Sequence, residues 1–340
     1  MATDHHQRAR AVLEPDVYDY FAGGADEQLT RDDNDRAWAR LRLRPRVLRD
    51  VSIVDTTATM LGTTAVAPIG IAPTAAHELA HPEGECATAA GAAAAGAVYI
   101  ASTLSTRSLE EIAATAPEAV RWFQLYVRGE LTTARDLVRR AEASGYAAIV
   151  VTVDVPVLGL RRHEGLTLDS RIDLPHMPRS DQPDGGAYAR HVALTFDDLR
   201  AIISWTALPV LVKGVLRADD ATACVRTGVA GIIVSNHGGR QLDTTVDPPT
   251  ALAEVAAAVG DATEVYVDGG IRRGTDVVKA LAVGADGVFV GRPVVWGLAA
   301  DGADGVRAVL DDLRMELVRA MKLCGTPTVA DITPDLVVGP

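Results

Sequence analysis

Residues 235–243 read SNHGGRQLD, and this stretch could do acid–base chemistry. His237 is followed by two glycines, with Arg240 three residues on. A lone histidine is more often structural than catalytic. A histidine beside an arginine able to bind carboxylate suits proton abstraction next to that carboxylate. Asp154 closes the apolar run AIVVTVD and could orient the imidazole and support its charged form. Lys213 stands out because the chain has only three lysines, and Lys279 and Lys322 fall in helical segments and read as solvated. A point charge at the end of a buried strand suits stabilising a developing anion; the alternative is a structural ion pair. Two glycine–arginine groups follow: Gly269 and Gly270 with Arg272, then Gly291 with Arg292. Each glycine alone could merely make a tight turn. Together they offer backbone N–H groups and guanidinium groups to a phosphate. His77, His81, His163, His176 and His191 lack such settings and read as structural or surface residues.

These residues need elements to position them, and most end a short apolar run. The runs are 68–74 (PIGIAPT), 98–103 (VYIAST), 121–126 (RWFQLY) and 148–154 (AIVVTVD). Four more follow at 209–214 (PVLVKG), 231–236 (GIIVSN), 264–270 (EVYVDGG) and 287–292 (GVFVGR). They do not alternate polar with apolar, as expected of strands buried on both faces of a parallel sheet. Helical patterns separate them, including 83–95, 108–114, 132–144 and 274–283. Eight strands alternating with helices predict one α/β domain, a (β/α)8 TIM barrel, over 66–340. An open doubly wound sheet fits less well, because no G-x-G-x-x-G follows the first run. Residues 1–65 read as a helical cap, and 160–195 as a mobile Pro/Gly/His-rich loop after strand 4. In such a barrel the site lies at the C-terminal ends of the strands.

The bulk properties narrow the function classes. Hydrophobic residues make up 48% of the 340, enough for a large core. A net charge of −12 disfavours nucleic acid and anionic membranes, and no basic run offsets it. An anionic substrate must then be drawn in by local arginines. Cys86, Cys224 and Cys324 are far apart without metal-ligand spacing, and read as reduced thiols of a cytoplasmic protein. Residues 1–10 have no apolar core of a signal peptide, and no stretch looks like a membrane span.

The sequence resembles the FMN-dependent 2-hydroxy acid oxidase/dehydrogenase family, which includes glycolate-, lactate- and mandelate-oxidising enzymes. The motif at 235–243 looks like that family's active-site signature. Further matches are VYDYFAGGA at 17–25, IAPTA at 71–75, HPEGE at 81–85, FQLY at 123–126 and TVDVP at 152–156. LVKGV at 211–215, DGGIRRGTDVVKALAVGA at 268–285 and VGRPVVW at 290–296 extend the likeness over nearly the whole chain. The resemblance implies FMN as cofactor, a small 2-hydroxy acid as substrate, and a tetramer. It implies His237 as base, paired with Asp154. Arg161, Arg240 and Tyr20 would hold the substrate carboxylate, with Tyr126 at the hydroxyl side. Thr74, Ala75, Ser102, Gln124, Thr152 and Ser235 would line the flavin ring, and Lys213 would face its N1/C2=O edge. Asp268, Gly269, Gly270, Arg272, Gly291 and Arg292 would hold the ribityl phosphate.

Two departures bear on the substrate. Leu104 stands where glycolate-type members carry a bulky Trp, and Ala76 where many have Met. Both are expected to enlarge the space over the flavin, favouring an aryl substrate such as mandelate or 4-hydroxymandelate. Transfer of electrons to O2, giving peroxide, is the preferred second half-reaction. A dehydrogenase passing them to a quinone or carrier protein, and a non-catalytic flavin-binding barrel, are the alternatives.

Overall fold

Every apolar run contains a strand in the computed structural model, which describes residues 2–128, 131–162, 166, 172–177 and 194–339. The strands are β1 (Ile69–Ile71), β2 (Tyr99–Ser102), β3 (Arg121–Leu125) and β4 (Ala148–Thr152). They continue as β5 (Val210–Val215), β6 (Gly231–Val234), β7 (Glu264–Asp268) and β8 (Gly287–Val290). Each pairs parallel with the next, and β8 pairs with β1, so the sheet is a closed barrel and not the open alternative. All residues of β2, β3, β4, β6 and β8 are buried, which is why these runs show no alternation.

The barrel has a packed interior. Trp122, Tyr266 and Phe289 meet there with ring centroids 5.5–5.6 Å apart. Around them pack Ile100, Val150, Leu211 and Ile233. The outer faces of the strands pack against a ring of helices.

Three helices precede the barrel: α1 (Ala2–Val12), α2 (Pro15–Ala22) and α3 (Leu29–Arg40). Each strand is followed by a helix: α4 (Gly84–Ala95), α5 (Leu109–Thr115), α6 (Leu131–Ala143) and α7 (Phe196–Ile203). The last four are α8 (Ala218–Arg226), α9 (Pro248–Val259), α10 (Gly274–Val283) and α11 (Arg292–Cys324), the last kinked at Asp301 and Gly302. Ser108 caps α5 and Thr195 caps α7, each in a reciprocal capping box with the third helical residue.

The first 65 residues do more than cap. Residues Ala58–Met60 and Thr63–Ala65 form a hairpin whose Met60 enters the interior cluster. Leu61 N–H reaches Glu264 at the start of β7 at 2.9 Å, so the hairpin plugs the end opposite the site. α2 and α3 lie over the other end. Lys279, expected in solvent, is 8% exposed and donates to the Trp38 carbonyl at 2.8 Å. Packing of α10 under α3 removes it from water. Of the 160–195 loop, residues 163–165, 167–171 and 178–193 lie outside the described residues, so its expected mobility, His163 and His191 do too.

Candidate active site

The turn after β6 is built around left-handed backbone. His237, Gly238 and Gly239 have φ of 59°, 63° and 73°. A Cβ on Gly239 would lie 2.4 Å from Arg31 N, so only glycine lets α3 approach. Asn236 and Asn34 of α3 exchange two side-chain hydrogen bonds, at 2.9 and 2.7 Å, and lock the turn. Ser235 Oγ accepts from His237 N–H at 3.0 Å. A non-glycine residue at positive φ costs energy that the surroundings must offset, and such positions cluster at functional sites.

The outcome is a fixed imidazole. His237 Nδ1 lies 2.9 and 3.1 Å from the Asp154 carboxylate oxygens. A carboxylate only accepts, so Nδ1 is the donor, and in the neutral ring Nε2 is left as the acceptor. Tyr126 hydroxyl lies 3.3 Å from Nε2. Burial would raise the Asp154 carboxyl, but His237 and then Lys213 outweigh it and hold its pKa below the ordinary value. Burial first, then the Asp154 carboxylate, pushes the Tyr126 phenol up, so it stays protonated as a donor.

Asp154 itself depends on β5. The β5–β6 register shifts between Lys213 and Val215, and Gly214 there has φ 105°. A Cβ on Gly214 would lie 2.5 Å from Asp154 Cγ. Gln241 steadies the other side, donating to the Asp154 and Val157 carbonyls at 3.0 and 2.9 Å.

Arg240 Nη1 donates to the Tyr20 and Gly23 carbonyls at 2.7 and 2.9 Å, with its guanidinium 5.2 Å from the Tyr20 ring centroid. Arg161 donates to the Arg240 carbonyl. The end of α2 thereby stations both arginines beside His237 on one cavity of about 380 Å³. That volume lies within the roughly 300–1,000 Å³ of small-molecule sites. Tyr20, Tyr126 and Leu104 share its wall. Ala76 does not: it is fully buried, and its N–H bonds the Leu104 carbonyl at 3.0 Å. Of the two departures, only Leu104 bears on cavity size.

The other half of the cavity carries the phosphate-type groups. Thr74, Ala75, Ser102, Lys213, Asp268, Gly269, Gly270, Arg272, Gly291 and Arg292 all line it. Lys213 Nζ donates to Ser235 Oγ at 2.7 Å and pairs with Asp268 Oδ2 at 3.1 Å. Asp268 Oδ1 is buried without a hydrogen-bond partner, an acceptor aimed at nothing in the described protein. Gln124, Thr152, Ser235 and Asp154 stand behind the wall. Gln124 accepts from Ser102 Oγ at 3.2 Å and donates to Thr152 Oγ1 at 3.0 Å, bracing three strand ends.

Arg292 is less simply a phosphate ligand than expected. Its guanidinium donates to the Phe21, Gly238 and Gly23 carbonyls at 3.0, 3.0 and 2.6 Å, strapping α2 to the histidine turn. Burial, then neighbouring Arg240 and Arg272, drive its pKa well down. An anion among these guanidinium groups relieves that repulsion. Arg272 also pairs with Asp35 at 3.2 Å.

Sequence reasoning assigned no role to Gly214, Gln241, Asn34 or Arg128. A glycine directly after the strand-end lysine was the visible signal for the first. Asn34 carried none, since its role comes from a contact 202 residues away.

A family model described as FMN-dependent dehydrogenase matches residues 9–339. The human protein "2-Hydroxyacid oxidase 2" is 47% identical over 340 residues, covering 98% of this chain and 97% of the relative. "Glycolate oxidase 1" of Oryza sativa subsp. indica is 46% identical over 339 residues, covering 96% and 92%. A crystal structure of mandelate oxidase with (S)-4-hydroxymandelic acid is similar with a TM-score of 0.93 and 41% identity, covering 100% and 98%.

Proposed function

The chain belongs to the FMN-dependent dehydrogenase family, and on that premise we propose that it oxidises a 2-hydroxy acid to the 2-keto acid, reducing O2 to hydrogen peroxide. An aryl 2-hydroxy acid, mandelate or 4-hydroxymandelate, is the proposed substrate. The observation that carries this reading is the His237 imidazole. Asp154 holds it from behind, and its Nε2 faces the Tyr126 hydroxyl in a cavity that Arg161 and Arg240 also line.

The residues present fit FMN. Asp268 Oδ1 is a buried acceptor suited to a ribityl hydroxyl. Gly269 and Gly270, at φ 93° and 78°, with Arg272, Gly291 and Arg292, would take the phosphate. Lys213 would sit at the ring's pyrimidine edge, with Thr74, Ala75, Ser102 and the bracing Gln124 and Thr152 along it. FMN, when bound, supplies the two-electron acceptor.

The protein's own groups do the rest. Arg161 and Arg240, with the Tyr20 hydroxyl, would clamp the carboxylate and so orient C2. Nε2 of His237 takes the proton released in the oxidation. The imidazolium then formed faces an ionised Asp154, which lowers its energy where water is scarce. The Tyr126 hydroxyl donates to the oxygen at C2.

Support for the aryl substrate is Leu104 at the cavity wall and the likeness to mandelate oxidase. Support for O2 as acceptor is that the relatives matched are named oxidases. The test is anaerobic mixing of purified holoprotein with (S)-mandelate, then air. Bleaching of the flavin absorbance and rapid return of colour with peroxide is the expected result. Bleaching with slow return indicates another electron acceptor. A higher kcat/KM for glycolate than for mandelate overturns the aryl assignment.

A further inference from the structure

One side chain beside the histidine turn reaches across to the chain leaving β4. Gln241 Nε2 donates to the Asp154 and Val157 carbonyls at 3.0 and 2.9 Å, and its Oε1 accepts from Gly159 N–H at 3.1 Å. Both amide hydrogens and the amide oxygen are thus used on the backbone of 154–159. Methionine at this position offers none of these groups, and glutamate lacks both donors.

The segment has little else to set its course. Residues 153–162 lie outside helix and strand, and Val157, Leu158 and Leu160 are exposed, so apolar burial holds the chain weakly there. Asp154 stands at one end and Arg161 at the other, with Val155 and Leu158 on the cavity wall between them. The Asp154 end has anchors of its own. Val153 N–H donates to the Lys213 carbonyl at 2.9 Å, and the Asp154 carboxylate is bonded to His237 at 2.9 Å. The far end crosses the histidine turn at Gly159, where a Cβ would lie 2.6 Å from the Arg240 and Gln241 carbonyl oxygens. Just beyond, the Leu160 carbonyl accepts from Asp26 N–H at 3.0 Å, and Arg161 donates to the Arg240 carbonyl. The Gln241 bonds at 157 and 159 bring the chain to that crossing.

We propose that Gln241 is a positioning residue whose amide sets the course of 157–161 and, through it, the place of the Arg161 guanidinium in the cavity. This rests on the 2-hydroxy acid reading above and adds a residue that acts through the carboxylate clamp.

The experiment follows anaerobic flavin reduction by (S)-mandelate in wild type, Gln241→Met, Arg161→Met and the double variant, each as holoprotein. The concentration dependence gives Kd, the limiting rate and the initial slope. Gln241→Met is expected to raise Kd by about tenfold, the scale of two net hydrogen bonds, and to change the limiting rate by less than about threefold. In the Arg161→Met background the same substitution is expected to lower the slope by less than about twofold, because the route through Arg161 is gone. Tryptic cleavage after Arg161 or Arg162, identified by mass, is expected to be about tenfold faster in Gln241→Met. An unchanged Kd, an equal slope loss with and without Arg161, or an unchanged tryptic rate overturns the proposal. Where mandelate leaves the wild-type flavin unbleached, glycolate replaces it. If neither bleaches it, the 2-hydroxy acid reading has failed, and the tryptic rate alone decides the role of Gln241.

Discussion

Gly214→Ala is a test of how the His237 imidazole, the proposed base, is held, because the substitution touches neither His237 nor the cavity. The new Cβ would lie 2.5 Å from Asp154 Cγ, 2.6 Å from its Cβ and 2.9 Å from Oδ1. Ordinary carbon contacts need about 3.5–4.0 Å, so the carboxylate must retreat by about 1 Å. The His237–Asp154 bonds, now 2.9 and 3.1 Å, then pass beyond hydrogen-bond range. A hydrogen bond to a charged group contributes about 1.5–3 kcal/mol. If the bond strengthens fully as the imidazole becomes charged, flavin reduction slows by about 10- to 100-fold. Alanine at φ 105° adds about 1–3 kcal/mol of backbone strain, lowering the melting temperature as well. Asp154→Asn separates the two effects. It removes the charge without moving β5, and is expected to match the rate loss with little change in backbone strain. Stopped-flow reduction under anaerobic conditions, with FMN content and thermal melts for each variant, reads both quantities. Undiminished reduction in Gly214→Ala would refute the idea that β5 seats Asp154 behind the base.

Three further outcomes are expected. His237→Ala is expected to abolish flavin reduction while FMN stays bound; an unchanged reduction rate removes His237 from the base role. Leu104→Trp narrows the cavity and is expected to lower kcat/KM for mandelate relative to glycolate by at least about tenfold; steady-state peroxide assays with both acids check this. His176 gives a pH signature. It accepts from Leu109 N–H at the start of α5 at 3.0 Å, and burial, then Arg140, lower its pKa from 6.5 to about 4. Between those values the unfolded chain binds the proton and the folded one does not. Stability from this group is therefore full above about pH 6.5 and is lost as pH falls to about 4, by ~3 kcal/mol. Urea unfolding of wild type and His176→Leu at pH 7 and pH 5 tests it: the difference between the two proteins must shrink at the lower pH.

How much was legible in the chain differs sharply between the barrel and its site. The eight runs were visible because a strand buried on both faces cannot carry polar residues, and composition alone records that. Their polar ends were visible for the converse reason: a buried strand ends in charge only where the charge has a task or partner. So His237, Lys213, Asp268 and the glycine–arginine groups could be chosen from sequence. The hairpin at Ala58–Met60 could not, since a three-residue strand leaves no periodicity to read. Lys279 was misjudged for a related reason. A helical pattern shows which face is apolar, but not that α3 covers the lysine.

Sequence by itself determined the chemistry available: one histidine with an arginine nearby, a lysine at a strand end, and phosphate-type turns at the last two strands. Residue type sets pKa range, charge and hydrogen-bonding capacity, and strand order sets which ends share a rim. Only the tertiary structure decided the geometry. It put Asp154 behind the imidazole through a glycine on a neighbouring strand, and turned Arg292 into a strap between α2 and the histidine turn. It left Ala76 out of the cavity and brought Arg128 in. Each of these depends on packing across tens to hundreds of residues, where distances of a few tenths of an ångström decide whether a side chain fits, and no local pattern in the chain encodes that.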